Sequence, residues 1–323
     1  MEKATKKEIL MVSGILGCAL IVFELIGRGL AWLVRFFYSS GLLTRTFNTS
    51  CLFQIVYTLT AILLPFFLAS KIIEKRQNQT HSELLPFGPP KNYILFLCSL
   101  GVGFMAIMLS NMLTSMFVVS MNNHGITFDS ASVDVPTSAS GYFWIIIADA
   151  LVPALCEEYA LRGVVMGSLR KYGDSVAIGI SSLLFALMHG NMTQAPFAFL
   201  LGLVIGRLVI ATGSMWTGII IHFLNNLFAV IMTIVSKNGS DMTTAVITII
   251  AVTVALAMGL ISIFILRSVY HWEDVEQLNN PGSTAKEKRL NRWSAELYTI
   301  ISLPMAVSLI WLFWQLFLTV HRG

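Results

Sequence analysis

One apolar stretch, opening near Tyr142, contains the run Cys156-Glu157-Glu158-Tyr159-Ala160-Leu161-Arg162. Two adjacent carboxylates in such a setting are costly, since a charge held at the centre of a bilayer costs roughly 2.5 kcal/mol or well above. Helical spacing divides that cost. Glu158 and Arg162 stand four residues apart on one helix face and can pair. Glu157 is turned about 100° away and has no partner in its own helix. A carboxylate left unpaired in an apolar interior is suited to taking up a proton and returning it, which makes Glu157 the candidate catalytic group. The plainer alternative is a structural ion pair with a spare glutamate facing a polar cavity.

The histidines divide the same way. His81, His124, His271 and His321 fall in loops or at the terminus, whereas His189 and His222 lie inside apolar runs, where an ionisable side chain marks a functional position by default. His222 and Asn226 are four apart on one face. The Asn226 amide can donate to developing negative charge without being charged itself, as an oxyanion-hole donor does. Asn225 lies on nearly the same face and could take that role instead. Cys156 beside Glu157 is a poor nucleophile, because an acidic neighbour disfavours the thiolate. Cys18, Cys51, Cys98 and Cys156 stand singly in apolar segments and read as small buried hydrophobes, with no disulfide or zinc spacing.

The elements that must carry these groups are membrane helices. The chain has 323 residues, 56% of them hydrophobic and only 12% charged, with a mean hydropathy of +0.76, far outside the range of soluble domains. The formal charge of +4 sits in short segments between apolar runs and reports topology, so nucleic acid is not an expected partner. Runs of about 20 apolar residues are read as spans. They fall near residues 9–34, 51–70, 93–120, 142–170, 175–190, 197–211, 214–235, 243–266 and 293–320. The reading is an all-α polytopic transmembrane bundle of eight or nine spans in the cell membrane. Residues 1–141 and 236–323 would be accessory helices around a four-helix catalytic core at 142–235.

Glu24 and Arg28 in the first span form a second pair four apart, structural or interfacial, and Pro153 should kink the fourth span. Segments 71–91 and 267–292 are charged and read as solvated connectors. With the N-terminus inside, nine crossings place these and Arg170-Lys171 in the cytoplasm. The Lys- and Arg-free segments 121–141 and 191–196 then fall outside. Counted at 1.5 Å per residue, Glu157 lies about 20 Å from the cytoplasmic end, His189 about 21 Å and His222 about 14 Å. Three helices thus bring polar groups to similar depth, which points to one shared site.

These residues resemble the CAAX protease and bacteriocin-processing (Abi-type) intramembrane endopeptidases. That group includes the type II CAAX prenyl endopeptidases and bacterial relatives labelled as abortive-infection or bacteriocin-immunity proteins. Its EExxxR motif is matched by Glu157 to Arg162. FxxxH is matched by Phe185 to His189, and a long third motif by Phe199, Gly202, Gly206, Thr212, Ser214, His222 and Asn226. The resemblance implies hydrolysis of a peptide bond by a water held and deprotonated by Glu157 and His189. It assigns the oxyanion to His222 and Asn226 and makes Glu158 and Arg162 architectural. The substrate would be a peptide or lipidated peptide in the bilayer, and no cofactor is required. Glu157, His189 and His222 could instead hold Zn²⁺ with an open position. However, HExxH is absent and a metal would occupy the proposed base, so zinc is the secondary reading. A non-catalytic scaffold or immunity protein would not need the motif set intact. A transporter would ordinarily show a repeat between its halves, and none is visible.

Overall fold

A computed structural model describes residues 2–129, 135–136, 138–269 and 297–322. Seven helices are long and apolar enough to cross a membrane: α1 (Glu2–Ser39), α2 (Phe47–Gln77), α3 (Tyr93–Asn123), α4 (Ala139–Tyr172), α6 (Ala195–Thr212), α7 (Met215–Asn238) and α8 (Asp241–Val269). Two apolar helices are shorter, α5 (Asp174–Met188) and α9 (Leu303–Leu318). Each of the nine expected spans thus has a helix, and the chain is a multi-pass integral membrane protein. Segment 270–296, with most of the second charged connector and the start of the ninth span, lies outside the described residues, as does part of segment 121–141.

α4 runs through the middle of the bundle, packed by α2, α5 and α7. α6 lies against α5 and α3, α8 against α3, and α9 against α1. Lipid supplies no hydrophobic drive for helices to associate, so close backbone approach does that work. At Gly202 a Cβ would come within 3.0 Å of Ser182, which is why the spaced glycines of α6 can press it onto α5. The outer faces are apolar: Ile249, Ile250 and Phe264 of α8 are exposed, as suits a surface solvated by acyl chains.

A π-helical segment stands just before Pro153, where a kink is expected, and the same device occurs twice. A proline lacks an N–H and its ring collides with the carbonyl four residues back. Just before Pro153, Val152 N–H reaches five residues back to Ile147 O, at the end of the π-helical segment Ile146–Leu151. Just before Pro65, Leu64 N–H reaches Leu59 O after the segment Thr58–Leu63. A widened turn accommodates each ring without breaking the helix. A third π-helical segment, Tyr159–Met166, follows the two glutamates directly.

Segment 71–91 is mostly exposed, as a solvated connector should be, but it also packs into the bundle. After α2, a one-turn helix (His81–Leu84) is closed by a capping box between Thr80 and Glu83. It drives Leu84 and Leu85 into full burial against α4, where Cβ atoms at Gly163 and Gly167 would collide with them. The same strap grips the start of α7: Met215 N donates to Pro86 O at 2.9 Å, Ser214 Oγ to Gly88 O at 2.8 Å and Trp216 Nε1 to Phe87 O at 3.0 Å. At the opposite end of the bundle, strand β1 (Ile126–Phe128) pairs antiparallel with β2 (Val320–Arg322), which hydropathy did not foretell. Pairing puts the C-terminal end beside the end of α3. That requires an even number of crossings from α4 to α9, as nine spans provide.

Cys51, Cys98 and Cys156 are buried, but Cys18 is exposed on α1, against expectation. Glu24 does more than pair with Arg28. Its Oε2 accepts from Arg28 Nε at 3.4 Å, Trp311 Nε1 at 3.0 Å and Gln315 Nε2 at 2.6 Å, locking α1 to α9.

Candidate active site

Glu158 and Arg162 sit fully buried, Arg162 Nη1 3.0 Å from Glu158 Oε1. The pair is one helical turn of α4, as its spacing dictates. Glu158 Oε1 also accepts from His222 Nδ1 of α7 at 2.9 Å. That contact needs α7 close: a Cβ on Gly218, one turn earlier, would stand 2.5 Å from Glu158 Oε2. With its Nδ1 proton committed to Glu158, His222 turns Nε2 toward Glu157 Oε2, 3.7 Å away. Nε2 then carries a proton only when the ring is an imidazolium, and in that state the two carboxylates flank the positive charge.

His189 follows the last turn of α5 and caps it. Gly190, with φ +58°, follows it, and this left-handed conformation lets the chain leave the helix at once. His189 Nδ1 donates to Phe185 O at 2.7 Å, so Nε2 is the free, basic nitrogen. Phe185 links the whole cluster. Its ring meets His189 edge-on at 4.9 Å and His222 at 5.3 Å, and the Arg162 guanidinium lies over it at 4.5 Å. The hydrophobic ring therefore orients both imidazoles while sharing the buried cation.

Glu157 and His189 line one cavity of about 200 Å³, floored by Phe185. The opposite wall comes from the N-terminal helices: Phe23 of α1 and Gln54, Tyr57 and Thr58 of α2. Of the six positions singled out by sequence, Glu157, Glu158, Arg162, His189 and His222 form one connected cluster. Asn226 lies one turn beyond His222 on α7, half-buried. Its Oδ1 accepts from Asn225 Nδ2 at 3.0 Å, which leaves both Asn226 amide N–H groups and one of Asn225 as available donors. Among the described residues, no three His, Cys, Asp or Glu side chains are disposed to hold a metal ion. Phe185 stood out only as the first residue of FxxxH, with no hint that it is the common contact. The α2 wall was not visible in sequence, since single Tyr and Gln residues in an apolar run carry no distinguishing signal.

Residues 139–228 match the model of a family described as type II CAAX prenyl endopeptidase Rce1-like. The chain is also 28% identical over 180 residues to the membrane-embedded CAAX protease MroQ of Staphylococcus aureus (strain USA300), covering 51% of this chain and 68% of that protein. No solved structure matches. The matched segment includes both glutamates, both histidines and Asn226, so the similarity to the Rce1-like CAAX proteases falls on the residues that form the cluster.

Proposed function

We propose that the protein is an intramembrane endopeptidase in which Glu157 and His189 activate the attacking water. The observation that carries this reading is that α4 and α5 deliver these two groups to one small cavity, with His222 directly behind Glu157. In the proposed reaction a water is held between the Glu157 carboxylate and His189 Nε2. Its proton passes to Glu157 as its oxygen bonds to the carbonyl carbon, whose π electrons move onto the carbonyl oxygen. His222, protonated at Nε2, and Asn226 face the charge on that oxygen. Collapse of the tetrahedral intermediate breaks the C–N bond, and the departing nitrogen takes the proton from Glu157. Glu158 and Arg162 fix the His222 ring and never meet the substrate. The substrate is a peptide or lipidated peptide presented within the bilayer.

The test compares Glu157→Gln and His189→Ala with wild type in purified, lipid-reconstituted protein. Loss of the general base should cost about 10²–10⁴-fold in rate, with membrane abundance unchanged. Retained hydrolysis in Glu157→Gln would remove the mechanism. One equivalent of bound zinc, lost with Glu157, would replace it with a metal-dependent one.

A further inference from the structure

The four residues in the proposed chemistry all come from the 139–228 segment: Glu157 from α4, His189 from α5, and His222 and Asn226 from α7. The cavity they face is not closed by that segment. Its far wall is α2, at the junction where the ordinary helix ending at Tyr57 gives way to the π-helical turn starting at Thr58. Positions 54, 57 and 58 share one face there, so three polar side chains from outside the matched domain look onto Glu157 and His189.

Exposure and hydrogen bonds separate them: Gln54 is exposed. Thr58 Oγ1 donates to Gln54 O of its own helix at 2.9 Å and is spent. The Tyr57 hydroxyl has no hydrogen-bond partner among the described residues. Its ring packs closely on α1: a Cβ at Gly27 would stand 3.1 Å from the ring and 3.2 Å from Oη. Tyr57 is half-buried and within electrostatic reach of Glu24 and Glu157. A closely packed phenol with an uncommitted O–H, lining the same cavity of about 200 Å³ as Glu157 and His189, is placed as a donor for something that enters the cavity. His189 has already given its Nδ1 proton to Phe185 O, so the phenol would add to the donors His222 and Asn226 proposed above.

We infer that Tyr57 is a catalytic residue contributed by the accessory helices, its hydroxyl donating to the carbonyl oxygen of the scissile bond as negative charge develops there. The inference rests on the hydrolytic reading above. It adds that the motif-bearing segment is incomplete without α1 and α2, with Gly27 keeping the phenol in place.

The experiment uses the full chain. New protein N-termini are quantified by mass spectrometry in membranes expressing wild type, Glu157→Gln or Tyr57→Phe. A segment whose cleavage requires Glu157 is then made as an internally quenched peptide and assayed with each purified, reconstituted variant. Tyr57→Phe keeps the ring on Gly27 and removes only the hydroxyl. The expected result is a fall in kcat of roughly 10²-fold, with KM and thermal unfolding temperature unchanged. Glu157-dependent cleavage that Tyr57→Phe leaves within about twofold of wild type would overturn the role of Tyr57 alone. So would a lowered unfolding temperature in Tyr57→Phe, which would make the hydroxyl structural. If no N-terminus depends on Glu157, the hydrolytic reading falls and takes this role with it.

Discussion

Replacing Phe185 with leucine keeps the position apolar but removes the ring face under Arg162 and the edges that meet both imidazoles. Misplacing a reacting group by 1 Å can cost about 10²-fold in rate. Phe185→Leu should therefore lose kcat on that scale, with a smaller loss of thermal stability, measured on the same reconstituted protein. The two glutamates should separate in the opposite sense. Glu158→Gln leaves Arg162 buried without its counter-charge, a change expected to cost about 3–5 kcal/mol and to lower membrane abundance. Glu157→Gln, whose carboxylate faces the cavity, should fold normally. Gly218→Ala should mimic Glu158→Gln, because its methyl group would occupy the place of Glu158 Oε2. Equal abundance of all three variants would sink the division between a structural and a chemical glutamate.

The strap 78–92 packs directly on α4, the helix that carries both glutamates. At Gly167 a Cβ would come 2.3 Å from the Leu84 carbonyl oxygen, a backbone atom that cannot rotate aside. Gly167→Ala should lift the strap, and trypsin should then cut at Lys75, Arg76 or Lys91 several-fold faster than in wild type. An unchanged digestion rate would show the strap to be held by its bonds to α7 alone. The strap also marks where sequence reading stops. Apolar runs and isolated ionisable residues stand out because the bilayer penalises any alternative, so the long apolar helices of the described residues and the polar cluster were legible. The burial of Leu84 and Leu85 was not, because two leucines among charges and prolines look like loop composition until the glycines of α4 are seen to make room for them. Tyr57 was hidden for the converse reason: in an apolar span an aromatic side chain is unremarked, and Phe185 stood out only through its motif. The β1–β2 pair joins segments almost two hundred residues apart, and no local periodicity encodes such a partner.

At the scale of the whole molecule, the strand pair gives the topology a direct check. Thr127 and His321 are opposite one another. In a background with Cys18 replaced by serine, Thr127→Cys and His321→Cys together should form a disulfide, reachable by a membrane-impermeant reductant from the face opposite the strap. Reduction only from the strap side would refute the crossing count. The lengths of the helices have a final consequence. α5 has 15 residues and so rises only about 22 Å, against a hydrocarbon layer of roughly 30 Å. A helix of that length anchored at one face ends about 8 Å short of the other, and the turn after His189 lies beside Gln315 and the Thr319 hydroxyl, which accepts from Met192 N. A hydrolase consumes one water per turnover and oil supplies almost none. A stunted helix shortens the dry distance between bulk solvent and the imidazole, so the supply of this second reactant is built into the profile of the bundle itself.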